Sequence, residues 1–197
     1  MTRTFVALAA LLALFGCSKP PPPAPTEINF SVLSAESAQS MSNLWQPVID
    51  DLNRKTGLKV KPFFGTNYSS LVEAMRFGQV QAGWYSALPA LEATRRAQGT
   101  VIARVVLPGD TESYRSVLIT QKGKGITLDK VLKCDKSLSF GIGDARSTSG
   151  TLAPMTYLFK PKGIDPQKCF KIVRSGSQQA NMFAVGNGVL DLSLIHI

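Results

Sequence analysis

Gly143-Asp144-Ala145-Arg146-Ser147-Thr148-Ser149-Gly150 joins a strand-like run, Ser137 to Ile142, to a helix-like run that begins near Thr151. Three hydroxyl side chains stand in a row where the helix starts. The first N–H groups of a helix have no acceptor within it, and the helix dipole places partial positive charge at that end. Hydroxyl donors added to those amides make a place suited to an anion. Ser, Thr and Asp are also the ordinary capping residues of helices, so the stretch taken alone is more often a cap than a ligand site. The segments around it favour the ligand site.

Outward from that loop, strands and helices alternate. Ile28 to Leu33 reads as a strand, and Ser34-Ala35-Glu36-Ser37 as a polar turn before a helix in which Leu44, Val48 and Leu52 share one face at i, i+4, i+8. Gly57 ends that helix. Leu58 to Phe64 is the next strand, and Gly65-Thr66-Asn67-Tyr68 leads into a helix from Ser69 to about Phe77. Val80 to Tyr85 reads as a strand, Leu88 to Gln98 as a helix and Val101 to Leu107 as a further strand. This order and spacing predict parallel βαβ units with right-handed crossovers. A second set begins near Ser116: strand Tyr114 to Gln121, a short helix Leu128 to Leu132, the strand before Gly143, and a helix Thr151 to Phe159. A linker with Pro161, Gly163 and Pro166, a strand Phe170 to Val173, a helix Gln179 to Val185 and a strand from Val189 follow.

The N-terminus reads as an export signal. Met1-Thr2-Arg3 is a short basic region, Phe5 to Leu14 an apolar core, and Leu14-Phe15-Gly16-Cys17 resembles a bacterial lipobox. The apolar core falls short of the ~20 residues needed to span a bilayer, so it is a targeting element. Cys17 is then the lipidated first residue of the mature chain, with an ordinary signal peptide and a chance cysteine as the alternative. Pro20-Pro21-Pro22-Pro23-Ala24-Pro25 forms an extended spacer that holds a globular body away from a membrane.

At the other end, Leu192-Ser193-Leu194-Ile195-His196-Ile197 follows Asp191 without a turn or cap and looks like the translation of a transposase adapter used in sequencing libraries. A true β-strand is the alternative. The artefact is the favoured reading, so the natural chain is expected to continue past Asp191, and the sole histidine, His196, is set aside with the tail. The expected organisation is 1–16 signal peptide, 17–26 lipid-anchor cysteine and Pro-rich linker, 27–115 first lobe, 116–191 an incomplete second lobe, and 192–197 tail.

The formal net charge of +9 suits an anionic ligand but equally suits nucleic acid or solubility. No arginine-rich run with interleaved aromatics is present, so no nucleic-acid partner is expected. Cys134 and Cys169 have neither a third cysteine nor a reliable histidine beside them, which argues against zinc. In an exported chain they are expected to form one disulfide in the second lobe, with two buried thiols as the alternative. No metal and no cofactor are expected.

Ser34-Ala35-Glu36-Ser37, Thr66-Asn67-Tyr68 leading to Met75-Arg76-Phe77-Gly78, Ala82-Gly83-Trp84-Tyr85-Ser86, Ser113-Tyr114-Arg115-Ser116-Val117-Leu118 and the Gly143 to Gly150 loop occur in one order. Together they resemble the solute-binding proteins of phosphonate, phosphite and phosphate ABC transporters, from about Ile28 to Asp191. The resemblance implies the type II periplasmic-binding-protein fold, two α/β lobes with a hinge that close on a ligand, and a non-catalytic receptor that hands its ligand to an ABC permease. It makes Ser147, Thr148 and Ser149 the clamp on the phosphonyl oxygens, and Tyr68 and Tyr114 the tyrosines that reach the ligand from the first lobe. Each tyrosine taken alone fits ordinary packing as well. Trp84 and Tyr85, at a strand's C-terminal end, stand as candidates behind the ligand. Gln179 matches the position where aminoalkylphosphonate binders carry an acidic residue for the amine, and an amide cannot supply that charge.

Two other classes compete. An enzyme would need a base beside Ser147, Thr148 or Ser149, and the Gly-x-Ser-x-Gly arrangement of hydrolases is absent. A sensor lipoprotein would present the same ligand to a membrane kinase, and neighbouring genes would separate it from a transporter. The resemblance places the chain outside the cytoplasm, in the periplasm or on the outer face of the cell membrane.

Overall fold

The computed structural model describes residues 24–33, 38–109, 111–174 and 177–196. Cys17, the proline spacer up to Pro23 and the expected turn Ser34 to Ser37 lie outside the described residues.

The first lobe is a parallel sheet of three strands in the order β2, β1, β3. Strand β1 spans Glu27–Leu33, β2 Lys59–Gly65 and β3 Ala82–Gly83, with Val32 opposite Phe64 and Ser31 opposite Gly83. Helix α1 (Ala38–Thr56) joins β1 to β2, and α2 (Tyr68–Arg76) joins β2 to β3. The parallel βαβ units expected from the alternation are therefore present. Helix α1 stops where Gly57 takes φ of +69°, a conformation that costs glycine little. The Asn53 side chain then accepts from the Val60 amide at 2.6 Å and turns the chain into β2.

Leu44 and Val48 share one face of α1, as their spacing predicts, but are 67% and 42% exposed, whereas Met41 and Ile49 are buried and Trp45 packs on Phe30 and Trp84. An i, i+4 series shows that residues share a stripe but not which stripe faces the sheet. The adjacent stripe, about 100° round the helix, holds the larger side chains and takes the core. Val101 to Leu107 is not a strand: the segment is irregular, Ile102 is 90% exposed, and its one bridge is Leu107 with Thr111. Its β-branched residues favour a strand, but a strand needs a partner edge for its N–H and C=O groups, and the first sheet ends at β3. Strand β3 is also shorter than expected, although the amides of Gln81 and Trp84 continue its bonding to Asn29 and Ser31.

Helix α3 (Ala87–Arg96) follows β3, and the chain enters the second lobe at β4 (Ser116–Thr120). The remaining elements are α4 (Leu128–Leu132), β5 (Ser139–Ile142), a helical run α5 in the pieces Thr148–Leu152, Met155–Phe159 and Lys160–Lys162, α6 (Pro166–Cys169), β6 (Lys171–Arg174), α7 (Gln178–Gly186) and β7 (Leu192–His196). The sheet order is β4, β7, β5, β6, with β4 antiparallel to β7 and the other pairs parallel. The stretch Pro166 to Cys169, expected as linker, is one helical turn. Asp165 caps it by accepting from the Gln167 amide at 3.1 Å, and Pro166 sits at the first helical position, where its missing N–H costs nothing.

Residues 192–196, expected to be a tail, form β7 in the sheet interior, where Leu192, Ser193 and Leu194 are buried. The strand alternative thus describes their conformation. A slot with paired strands on both sides accepts an apolar run of any origin, so the pairing bears on conformation alone.

The core of the second lobe gathers Leu138, and Phe140 and Ile142 of β5, with Phe159, Phe170, Leu192 and Leu194. Cys134 and Cys169 are joined by a disulfide with Cα atoms 4.3 Å apart. Left-handed backbone at Cys134 and Lys136 makes the turn, and the Lys136 amide donates to the Cys169 carbonyl at 3.0 Å.

Asp191 ties β7 to β5. Its Oδ2 accepts from the backbone N–H and the hydroxyl of Ser139, both at 2.7 Å. Those bonds, the backbone one first, hold the carboxyl below its ordinary 3.8, with Lys124 and Lys130 adding attraction against burial. A depressed folded-state pKa contributes stability above the unfolded value and loses it as pH falls through the folded one. In urea melts between pH 6 and pH 3, wild type should therefore exceed Asp191→Asn at pH 6 and converge on it as acid is added. A gap that stays constant with pH would contradict this.

Candidate functional site

The loop from Gly143 to Gly150 is closed backbone against backbone. The Gly143 amide donates to the Gly150 carbonyl at 3.2 Å, and a Cβ on either glycine would lie 3.2 Å from the other's Cα. Glycine at both ends is what permits that approach. Ser147 caps α5: its Oγ accepts from the Gly150 amide at 3.0 Å, and its carbonyl accepts from Leu152 at 3.0 Å in a wider turn than an α-helix makes. The Thr151 hydroxyl donates back to the Asp144 carbonyl at 2.8 Å, and Asp144 Oδ1 accepts from the Arg146 amide at 2.8 Å. The result is a rigid bend with Ser147, Thr148 and Ser149 at its head.

All three hydroxyls already accept from a protein donor. Ser147 accepts from Gly150. Thr148 Oγ1 accepts from the Leu88 amide of α3 at 2.8 Å, across the cleft. Ser149 Oγ accepts from Nε2 of Gln178 at 3.0 Å, and its carbonyl takes the Ser116 hydroxyl at 2.7 Å. A hydroxyl has one proton to give. Thr148 gives its proton to the Ser86 hydroxyl at 3.2 Å, whereas Ser147 and Ser149, each accepting one bond, keep a proton to donate.

Thr148 also completes the facing helix. Ser86 is the N-cap of α3, yet its side chain makes no capping bond. Thr148 supplies that acceptor from the other lobe and hydrogen-bonds the Ser86 hydroxyl at 3.2 Å. Tyr68, at the start of α2, also hydrogen-bonds Ser86. Burial pushes its phenol above the ordinary range against the Ser86 contact, which lowers it, and the nearby Tyr114 and Asp144 add to the rise. Tyr68 is thus a neutral donor near pH 7. Tyr114, partly exposed, holds its ring 5.2 Å from that of His196.

The structure accordingly gathers Tyr68, Tyr114, Ser147, Thr148 and Ser149 round one cleft. Trp84 stands against Trp45 at 5.5 Å, half exposed, and Tyr85 turns into the first lobe, where its hydroxyl meets Ser31 at 3.1 Å and donates to the Leu71 carbonyl at 3.2 Å. The amide that reaches the hydroxyl row is that of Gln178, whose Oε1 meets His196 Nδ1 at 2.7 Å; no hydrogen bond joins Gln179 to Ser147, Thr148 or Ser149. Ser86 and Gln178 escaped the sequence reading. The one signal for Ser86 was its place before a helix in Trp84-Tyr85-Ser86.

Arg146, next to Ser147 in the loop, is engaged by two helices of the first lobe. Its Nε meets Oε2 of Glu92 on α3 at 2.5 Å, and a terminal nitrogen donates to the Ser69 hydroxyl on α2. Among the described residues no group of three or more His, Cys, Asp or Glu side chains could hold a metal, and no helix is long and apolar enough to cross a membrane.

A family model for "ABC transporter, phosphonate, periplasmic substrate-binding protein" matches residues 30–196. The chain belongs to this family. It is 36% identical over 199 residues to the "Phosphonates-binding periplasmic protein" of Escherichia coli (strain K12), a match that takes in 98% of this chain and 59% of that protein. The chain therefore spans about three fifths of the length of that relative. Among solved structures, a binding protein component of an ABC phosphonate transporter from Pseudomonas aeruginosa superposes with a TM-score of 0.82 at 38% identity, covering 88% of this chain and 58% of its own. A Prochlorococcus marinus (MIT 9301) protein in complex with methylphosphonate superposes at 0.70 and 23% identity, over 87% and 64% of the two chains, and supports the fold. The two α/β lobes seen here are those of periplasmic binding proteins.

Proposed function

We propose that this chain belongs to the extracytoplasmic solute-binding component of an ABC importer, taking phosphonate, phosphite or phosphate into the cleft between residues 27–115 and residues 116–191. The observation that carries this is the row Ser147, Thr148, Ser149: three hydroxyls with acceptor sides engaged, at the head of α5, facing the N-terminus of α3 across the cleft. A phosphonyl group offers only acceptors, and charge-assisted bonds to it are stronger than the neutral bond of Thr148 to Ser86 that it would displace. Tyr68 and Tyr114 complete the site with phenolic donors and flat apolar walls. Gln178 brings an amide where a carboxylate would be needed for a ligand amine, so amine-free ligands are favoured.

Export fits this role, and the family is periplasmic. Residues 1–16 serve as signal peptide, and Cys17 carries lipid that tethers the body through residues 17–26. The ligand passes to a membrane permease. A mass spectrum of the native mature N-terminus should show an acylated Cys17; an unmodified cysteine would remove the anchor.

Calorimetric titration of the protein made from its complete reading frame, against methylphosphonate, phosphite, phosphate and 2-aminoethylphosphonate, tests the reading. One of the first three should bind one to one, and 2-aminoethylphosphonate no more tightly than methylphosphonate. A folded protein that bound none of them would overturn it.

A further inference from the structure

A cation placed one residue from an anion clamp would ordinarily be expected to bind the anion. Arg146 is committed elsewhere. Its Nε and Glu92 Oε2 are buried, lie 2.5 Å apart as an ion pair and make no hydrogen bond among the described residues, so each depends on the other's charge. The side chains keep only 34% and 25% of their surface exposed. The guanidinium also engages Ser69, so one residue of the second lobe grips two helices of the first. Its own backbone is held by Asp144 Oδ1, so the grip is transmitted to the loop that carries Ser147 to Ser149.

We infer that Arg146 is a positioning residue whose ion pair with Glu92 straps the clamp loop to the first lobe, setting the closed population before any ligand arrives. This rests on the proposed function for its consequence, not for its geometry. A receptor whose competent state has population f binds with an apparent Kd equal to the intrinsic Kd divided by f. The hydroxyls then recognise the ligand while Arg146 and Glu92 set f. Losing one partner leaves the other charge buried and alone, which favours opening the cleft so that water can reach it.

The test has two arms. Spin labels carried on unnatural amino acids at Lys55 and Lys168, exposed positions on the two lobes, report the interlobe distance without ligand. Arg146→Gln and Glu92→Gln should each shift that distribution to longer distances, and the swap Arg146→Glu with Glu92→Arg should shift it back. In the second arm, methylphosphonate affinity should fall about tenfold in each single variant, corresponding to ~1.4 kcal/mol, through faster dissociation with little change in association. Single variants with the wild-type distance distribution, or a swap no better than either single change, would overturn the strap. If the wild type binds no phosphorus anion, the proposed ligand fails and the distance arm still decides the strap.

Discussion

Thr148→Val is expected to weaken methylphosphonate binding by about tenfold to a hundredfold while the protein stays folded. Valine keeps the β-branched shape and removes only the hydroxyl. A hydrogen bond to a charged group contributes roughly 1.5–3 kcal/mol, and the oxyanion would lose one such donor. The same change leaves the Leu88 amide of α3 without its acceptor from the second lobe, a cap worth ~1 kcal/mol. That loss acts on the closed form, where the two lobes meet, and adds to the affinity deficit. Thr148→Ser, which keeps the hydroxyl, should recover most of the binding. Calorimetry of the three proteins checks it, and a valine variant with wild-type affinity would remove Thr148 from the clamp.

Phe140→Ala is expected to cost ~3–5 kcal/mol of stability, the usual range for truncating a large aromatic in a packed interior. Phe140 is 0% exposed, with the rings of Phe170 and Phe159 at 5.3 and 5.9 Å, and those two rings touch each other at 6.1 Å. Removing one member leaves a void that β5 cannot collapse into, because it is paired on both sides. The next residues of β5 lead into Gly143, so the Gly143 to Gly150 loop loses its base together with the core. Both tryptophans, Trp45 and Trp84, lie in the first lobe, so the loss should show in circular dichroism of the second lobe before tryptophan fluorescence responds. Phe140→Leu should cost much less. A loss below ~1 kcal/mol for the alanine variant would contradict the packing described.

The βαβ alternation of residues 27–96 and the Gly143 to Gly150 loop were legible because their signals are local. Periodicity, caps and glycine turns lie within a few residues of the elements they shape. Where a feature depends on another part of the chain, the sequence was silent or misleading. The stripe Leu44, Val48, Leu52 obeys helix spacing, but the sheet beneath chose the stripe with Met41, Trp45 and Ile49. Val101 to Leu107 has strand chemistry and lacks a partner edge. Ser86 escaped the reading because the helix after it takes its capping oxygen from Thr148, 62 positions away. Arg146 and Glu92 lie on different lobes, and nothing in either neighbourhood announces their pairing. Gln178 rather than Gln179 reaches Ser149, since one residue is 100° round a helix and only the fold fixes which of two adjacent amides faces the cleft.

The central claim is that a phosphorus oxyanion is held between the lobes by the hydroxyls of Ser147, Thr148 and Ser149. The most direct measurement is a crystal structure of the protein from its complete reading frame, grown with methylphosphonate. The phosphonyl oxygens are predicted within ~2.5–3.0 Å of the three hydroxyl oxygens, with Gln178 still donating to Ser149 and Tyr68 turned to the ligand. Methylphosphonate bound away from α5, or present in the cleft with none of the three hydroxyls in contact, would contradict the account.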